Sequence, residues 1–171
     1  MHTHDSPDDK DRLAHAYDAM LERVKQMLDS AEEVGHTIEQ ALDRAYHRAI
    51  ELDEITREEA EKVRDYVRRD LHDMGDYIKQ TQQDYRAWLQ MDLQLIEARV
   101  LDLIASVADR TKLELSEWAA RAQVAILWHT GEITGPGVLR CEGCGEKLHF
   151  KNSGRIPPCP KCHATVFKRG R

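Results

Sequence analysis

The chain of 171 residues is long enough for one domain, or for a small domain that carries an appendage. Charged residues make up 33% of it and aromatic residues only 6%, a composition that favours solvated helices over a thick globular core. No stretch approaches the roughly 18 apolar residues of a membrane helix, and the N-terminus lacks the apolar segment of a secretory signal. We therefore expect no membrane contact and a cytoplasmic location.

The net charge of -6 is unevenly distributed along the sequence. Residues 140–171 contain eight Lys or Arg against two Glu, whereas the rest of the chain carries 17 basic and 29 acidic groups. An acidic body with a basic C-terminal part predicts two surfaces with different partners, or association between copies of the chain.

The first predicted helix covers residues 7–51. Ser6 is a suitable N-cap, and Pro7 and the acidic residues after it favour a first helical turn. Thr37 and Gln40 resemble a capping box, but the apolar spacing continues through them in a heptad register, so we predict one continuous helix of roughly 68 Å. The residues of this apolar stripe are Leu13, Tyr17, Met20, Val24, Met27, Ala31, Val34, Ile38, Ala41 and Ala45.

A second helix is predicted from the capping box of Thr56 and Glu59, and a third apolar stripe in residues 93–126 predicts a helix that ends near Trp128. An unbroken helix over residues 57–129 would measure about 110 Å, so we expect a turn between residues 80 and 90. The expected fold class is mainly α, a long antiparallel helical hairpin or coiled-coil bundle over residues 1–129. The second stripe comprises Ala60, Val63, Val67, Leu71, Met74, Ile78, Thr81, Tyr85 and Trp88.

Trp88 and Trp118 fall on these apolar stripes, and Trp128 lies at the predicted end of the third helix. We interpret them as packing anchors of the helices rather than as platforms on which a ligand stacks. The methionines of the stripes are interpreted in the same way, as residues that fill gaps between helices.

The helical pattern stops after residue 129, where glycine and proline become frequent. Short strands are predicted at 132–134 and 138–140, around a Gly-Pro-Gly turn, and at 147–150 and 165–167. Residues 130–171 are therefore expected to form a small C-terminal β zinc ribbon. A segment of this size buries too little apolar surface to fold alone, so a metal would have to hold it together.

All four cysteines of the chain lie in this segment, as two Cys-x-x-Cys pairs separated by 14 residues. This is the spacing of a structural, tetrahedral Zn²⁺ site, in which four thiolates leave no position for water or substrate. Iron in the same cage is the competing metal, because geometry alone does not separate the two. The predicted ligands are Cys141, Cys144, Cys159 and Cys162.

Other residues near the cysteines are assigned structural roles. The residue after each second cysteine is expected to adopt a left-handed backbone conformation, which Gly145 suits and His163 tolerates. His129, His149 and His163 could bind a metal, but four thiolates make them unnecessary as ligands. A redox role for Cys159 and Cys162 is weaker, because such motifs usually occur in a βαβ setting.

The sequence resembles a known family. The segments HTGEITGPGVLRC (129–141), DRTKLE (109–114), EITRE (54–58) and VRRDL (67–71) are similar to the YbeL-type zinc-ribbon proteins of proteobacteria. The resemblance covers most of the chain and implies a helical region followed by a C-terminal ribbon, in a family whose function is not established. It maps the four cysteines onto the ligands of the family's ribbon and provides no catalytic residue.

No enzyme motif is found in the sequence: it has no His-Glu-x-x-His, no phosphate-binding loop and no Gly-x-Ser-x-Gly. We therefore predict a non-enzymatic interaction protein, a protein–protein adaptor or regulator that has a protein partner and no small-molecule substrate. Association between copies through the helices is a further expectation.

Two alternative functions remain open. The first is nucleic-acid binding through basic ribbon residues with His149 and two phenylalanines between them, although we favour the interpretation that Phe150 and Phe167 form the ribbon's core. The second is regulation of transcription through the RNA polymerase secondary channel, by analogy with factors that carry an acidic tip on a helical hairpin. The basic residues are Lys147, Lys151, Arg155, Lys161, Lys168, Arg169 and Arg171, and the tip would comprise Glu51, Asp53, Glu54, Glu58, Glu59 and Glu61.

Overall fold

The computed structural model describes residues 7–30, 37–121 and 126–170. In this part of the chain, five α-helices and a 3-10 turn are followed by six short strands, so the molecule is mainly α with a small antiparallel β region. The helices are α1 (Pro7–Asp29), α2 (Ile38–Glu51), α3 (Arg57–Thr81), α4 (Tyr85–Leu89) and α5 (Ala98–Arg121), and the 3-10 turn spans Leu93–Leu95. The strands are β1 (Trp128–His129), β2 (Ile133–Thr134), β3 (Gly137–Cys141), β4 (Lys147–Phe150), β5 (Gly154–Arg155) and β6 (Val166–Arg169).

The prediction of one continuous helix over residues 7–51 is wrong. α1 ends at Asp29, and α2 begins after Thr37, whose backbone is extended with φ -74° and ψ 158°. The Gln40 N–H donates to the Thr37 hydroxyl, and the Thr37 N–H donates to the Gln40 side chain, so the capping box is present. α1 and α2 pack side by side. The two helices share a heptad spacing because both face the same core; Ala31 and Val34 lie outside the described residues.

The predicted break between residues 80 and 90 is confirmed. α3 begins at the capping box of Thr56 and Glu59 and ends at Thr81, where Gln82 takes a left-handed conformation with φ 58°. α4 and the 3-10 turn then lead to α5. The third helix does not extend to Trp128 as predicted: α5 ends at Arg121, and Trp128 belongs to strand β1.

The helices enclose one apolar core to which α1, α2, α3 and α5 all contribute. α3 approaches α5 closely at Gly75, where a Cβ atom would lie 2.4 Å from the Leu115 carbonyl oxygen. A long coiled-coil hairpin is not confirmed, since α3, with 25 residues, is only about 38 Å long and packs within a bundle. None of the described helices has the length and apolar character required to cross a membrane.

The strands form two antiparallel sheets, one with the order β1-β6-β3-β4 and one that pairs β2 with β5. Phe167 on β6 is fully buried and Phe150 on β4 packs against the same cluster, as the core interpretation of the two phenylalanines predicted. The ribbon core consists of Trp128, Leu139, Cys141, Leu148, Ile156, Cys159 and Phe167.

The ribbon lies against the side of the helical bundle. β2 and β5 contact α1, β2 also contacts α3, and β3 contacts α4. Ile133 of β2 is buried together with the apolar residues of the bundle. The division of the chain into domains at residue 129 stays a prediction, and the sheet takes in Trp128 and His129.

Candidate metal centre

The first Cys-x-x-Cys segment forms a turn at the end of β3. The Cys141 N–H donates to the Glu146 carbonyl at 2.8 Å, and the Gly145 N–H donates to the Cys141 carbonyl at 2.9 Å. Gly145 has φ 78°, the left-handed conformation that was predicted for it. These bonds close the turn and fix the position of the Cys144 sulfur relative to that of Cys141.

The second Cys-x-x-Cys segment repeats the same hydrogen bonds. The Cys159 N–H donates to the Ala164 carbonyl, and the His163 N–H donates to the Cys159 carbonyl, both at 2.9 Å. His163 has φ 62°, so the predicted left-handed conformation is confirmed here also. Because the two turns have the same internal geometry, they present their sulfur pairs in equivalent ways.

The four sulfur atoms lie within 4.8 Å of one another. The Sγ atoms of Cys141 and Cys162 are 3.6 Å apart, and those of Cys144 and Cys159 are also 3.6 Å apart. A tetrahedron with Zn–S bonds of about 2.3 Å has edges of roughly 3.8 Å, whereas a disulfide requires about 2.05 Å. The four cysteines are free thiols at the separation that one tetrahedral zinc ion requires.

Two of the four thiols have pKa values displaced from the usual value, in opposite directions. The pKa of the Cys159 thiol is lowered to about 7, mainly because the backbone N–H of Cys162 donates a hydrogen bond to its sulfur. The Glu146 backbone lowers the pKa of Cys144, but desolvation and the other three thiols outweigh this and raise it to about 12. Cys144 and Cys159 therefore differ in how readily they lose a proton, and a divalent cation bound at the site would displace protons from both.

The histidines near the cysteines do not join them. Within the described residues, the only group of three or more His, Cys, Asp or Glu side chains that could hold one metal ion is formed by the four cysteines. His129, His149 and His163 are all exposed.

A buried carboxylate, Asp70 of α3, lies where the ribbon meets the helices. Asp70 is 2% exposed. Its Oδ2 atom accepts hydrogen bonds from the Tyr17 hydroxyl at 2.6 Å and from the Gly135 N–H at 2.8 Å, and its Oδ1 atom accepts one from the Trp128 indole N–H at 2.9 Å. One side chain thereby joins α1, α3 and two segments of the ribbon.

Two arginines balance the charge of Asp70. Arg69 donates from Nε to Asp70 at 3.1 Å and from its other nitrogens to the Glu132 carboxylate at 2.6 Å and the Ile133 carbonyl at 2.7 Å. Arg169 of β6 lies 3.9 Å from Asp70 and donates to the Pro136 carbonyl at 3.0 Å. We call Asp70, Tyr17, Arg69, Trp128 and Arg169 the docking cluster.

The docking cluster keeps Asp70 ionised. Burial alone would raise the pKa of Asp70, but Arg69 and Arg169 and the hydrogen bonds to its oxygens hold that pKa below its usual value. Burial and the neighbouring Asp70 carboxylate raise the pKa of Tyr17 well above its usual value, so the phenol keeps its proton and remains a donor. The sequence analysis missed Asp70. Its one signal was position: Asp70 lies three residues after Val67 and four before Met74, on the apolar stripe of α3.

The prediction that Arg169 belongs to an exposed basic surface is wrong. Arg169 is 4% exposed, and its guanidinium lies 4.3 Å from the centre of the Trp88 ring. Trp88 in turn donates from its indole N–H to Asp73 at 2.7 Å. Arg155 is only half-exposed and donates to the Gly131 carbonyl, and Arg171 lies outside the described residues. The other predicted basic residues, Lys147, Lys151, Lys161 and Lys168, are exposed.

The acidic residues of the proposed tip lie around the connection between α2 and α3. Most of these carboxylates have basic partners in the same chain, which reduces the negative charge that the connection presents. The pairs are Glu51 with Arg48, Glu54 with Arg23, Glu58 with Lys62 and Glu59 with Arg12.

A cavity of about 630 Å³ lies between α1 and α2. Arg23, Arg44 and Arg48 line it together with Met27 and Glu51. Arg23 and Arg48 form the ion pairs with carboxylates described above, so the charge of the lining is largely balanced. The absence of a small-molecule substrate stays a prediction.

Comparison with known proteins agrees with this geometry. The family model described as a zinc-ribbon containing domain, DUF1451, matches residues 18–171. The chain is 26% identical over 158 residues to the uncharacterized protein YbeL of Escherichia coli K12, covering 92% of this chain and 96% of YbeL, and matches YbeL of strains O6:H1 and O157:H7 to the same extent. No solved structure matches the chain. The ribbon fold and the four clustered sulfurs together support a structural Zn²⁺ ion, and the chain belongs to the DUF1451 zinc-ribbon family.

Proposed function

We propose that the chain is a non-enzymatic interaction protein whose ribbon is folded by one zinc ion, with Cys141, Cys144, Cys159 and Cys162 as its ligands. The observation that carries the proposal is the approach of the two turns: Sγ of Cys141 lies 3.6 Å from Sγ of Cys162, and Sγ of Cys144 lies 3.6 Å from Sγ of Cys159, which suits a closed tetrahedral site. Four thiolates complete the coordination of zinc, so the metal has no open position at which to activate water or polarise a substrate.

The candidate zinc site and the contact of Arg169 with Asp70 lie at the two ends of β6. Zinc joins the turn after β3 to the turn before β6, and Arg169 at the end of β6 reaches Asp70 on α3. A ribbon held at both places presents a fixed outer surface next to the helices. This arrangement suits an adaptor or regulator that binds another protein, and association between copies through the helices is the second partner that we propose.

The metal assignment is tested with Cys159→Ser in the full chain, with Thr165→Ala as the matched control because Thr165 is an exposed ribbon residue. We expect one zinc ion per wild-type chain by elemental analysis, which also excludes iron, and loss of zinc in Cys159→Ser. Far-ultraviolet circular dichroism should retain the helices, and the near-ultraviolet signal of buried Trp128 should decrease. Zinc bound to Cys159→Ser at the wild-type stoichiometry and affinity would contradict the assignment.

The interaction part is tested separately. Light scattering coupled to size-exclusion chromatography measures association between copies, and a monomer at micromolar concentration contradicts it. Affinity capture from cell extract compares the wild-type chain with Cys159→Ser. A protein partner that uses the ribbon is captured by the zinc-loaded chain alone, whereas equal capture by both chains places the contact on the helices.

A further inference from the structure

Three cations form a row across the outer face of the four-stranded sheet. Arg140 on β3 is directly opposite Lys147 on β4 and directly opposite Lys168 on β6. All three are exposed, whereas Leu139, Leu148 and Phe167, which alternate with them, are buried in the ribbon core. With strands about 4.8 Å apart, the row extends roughly 10 Å across the sheet.

This row is costly for the isolated ribbon. Like charges directly opposite one another on antiparallel strands are destabilising. Lysines on edge strands often prevent a sheet from pairing with another sheet, and this can account for Lys147 on the edge strand β4. It does not account for Arg140 and Lys168, because β3 and β6 are interior strands. Lys168 pairs with Glu142 at 2.8 Å, and in the described part of the chain neither Arg140 nor Lys147 forms an ion pair.

We propose that the row of Lys147, Arg140 and Lys168 binds the phosphate backbone of a nucleic acid. A row of three cations on a flat face matches a regularly spaced line of phosphates, and Arg140 supplies a planar guanidinium suited to a phosphate. The proposal rests on the proposed function, because the zinc site adjoins the row at Cys141, which follows Arg140 and is opposite Phe167.

The chemistry of the surface favours nucleic acid over an acidic protein. Protein interfaces gain most of their affinity from buried aromatic and aliphatic anchors. The exposed large apolar side chains of the described residues are Leu52, Leu95 and Leu127, and of these Leu127 alone adjoins the sheet. His149 is the one exposed ring on β3, β4 and β6, and Phe150 is half-buried against the ribbon core. Binding through phosphates without base stacking is therefore expected to depend on salt and to be independent of base sequence.

The experiment measures fluorescence anisotropy of a labelled 20-nucleotide single strand, and of the duplex of the same sequence, with the zinc-loaded full chain between 50 and 200 mM NaCl. The triple variant R140Q/K147Q/K168Q should bind at least about tenfold more weakly. Its slope of log K against log salt should fall in magnitude by about 2 for the single strand and about 3 for the duplex. The matched control R57Q/K62Q/K79Q removes the same charge from exposed positions on α3 and should change affinity less than about twofold.

The remaining outcomes overturn the proposal. Zinc is measured in every variant first, because Arg140 also lies beside Gly145 of the first turn and could serve the thiolates as a counterion. A triple variant that loses zinc would identify the row as that counterion. Equal weakening in both triple variants would show attraction by net charge alone. A polyglutamate peptide that binds more tightly than either nucleic acid would identify an acidic protein as the partner. Failure to bind nucleic acid with zinc retained leaves the metal assignment intact.

Discussion

The helical bundle and the ribbon are stabilised by different means. Among the described residues, the bundle core contains 30 buried apolar side chains, whereas the ribbon core contains seven, two of which are the cysteines Cys141 and Cys159. A core of that size cannot offset the conformational entropy of ordering the ribbon, so the ribbon needs support from outside its own apolar residues. The candidate zinc site and the docking cluster are the two sources of such support, whereas the bundle depends on packing.

The largest loss of stability is expected from Asp70→Asn, because this substitution removes the carboxylate that both the helices and the ribbon contact. Arg169 would then be buried without this carboxylate, and the partly buried Arg69 would keep only Glu132 as a carboxylate partner, which together costs about 3–5 kcal/mol in the free energy of unfolding. The loss should appear in thermal or denaturant unfolding of the zinc-loaded chain. Asp65→Asn is the matched control on α3, because Asp65 is exposed and pairs with Arg68 at the surface, where the cost is below about 1 kcal/mol.

The pH dependence of the same substitution follows from the pKa of Asp70. That pKa is lowered below the usual 3.8, so the stabilisation by Asp70 is present above this value and is lost only as pH falls through the folded-state pKa. The difference in unfolding free energy between wild type and Asp70→Asn should therefore be constant from about pH 5 to pH 8. A difference that shrinks within this window would mean that burial, rather than the arginines, controls the pKa of Asp70.

A smaller effect, confined to the bundle, is expected from Gly75→Ala. The added methyl group would overlap the Leu115 carbonyl, and α3 and α5 would have to separate, at a cost of about 1–3 kcal/mol. The midpoint temperature at which the helices unfold should fall, while the zinc content stays at the wild-type level. Gly154→Ala is the control, because no atom lies closer than 3.8 Å to its added methyl group. Loss of zinc in Gly75→Ala would show that bundle and ribbon are less separable than their cores suggest.

The smallest effect is expected from Thr37→Ala, which tests where the bundle's second helix begins. Removal of an N-cap hydroxyl costs about 1 kcal/mol, and Thr56→Ala at the start of α3 should cost a similar amount. If residues 7–51 formed one helix, Thr37→Ala would stabilise the protein instead, because alanine has the higher helix propensity. The sign of the change in unfolding temperature decides between the two.

The sequence analysis succeeded where the signal was local. The four cysteines, the left-handed residues after each pair and the strand at residues 147–150 all depend on short spacings, and the structure places them as expected. The capping box at Thr56 succeeded for the same reason. The box at Thr37 has equal quality but was set aside because the apolar spacing continued through it. Periodicity reports which face of a helix is buried, not whether the helix is continuous.

The docking cluster could not be predicted because it depends on long-range contacts. Asp70 and Arg169 are 99 positions apart in sequence, and each looks like an ordinary surface charge among many. Charged residues are rarely buried unless paired, so the pairing has to be known before burial can be inferred. Trp128 was assigned to the end of a helix for a related reason, since its apolar character indicates burial without indicating in which part of the fold.

The docking cluster also limits the substitutions that homologous chains can carry where the helices meet the ribbon. Replacing Asp70 removes a buried partner from the other members, and replacing one of them removes a contact that stabilises the buried carboxylate, so single changes are costly and joint replacement is favoured. Tyr17, Arg69, Asp70, Trp128 and Arg169 should therefore be inherited as a unit, either kept or exchanged jointly for apolar residues. Even among homologues as divergent as YbeL, the interface between helices and ribbon should show correlated substitution, while the surfaces on either side of it diverge freely.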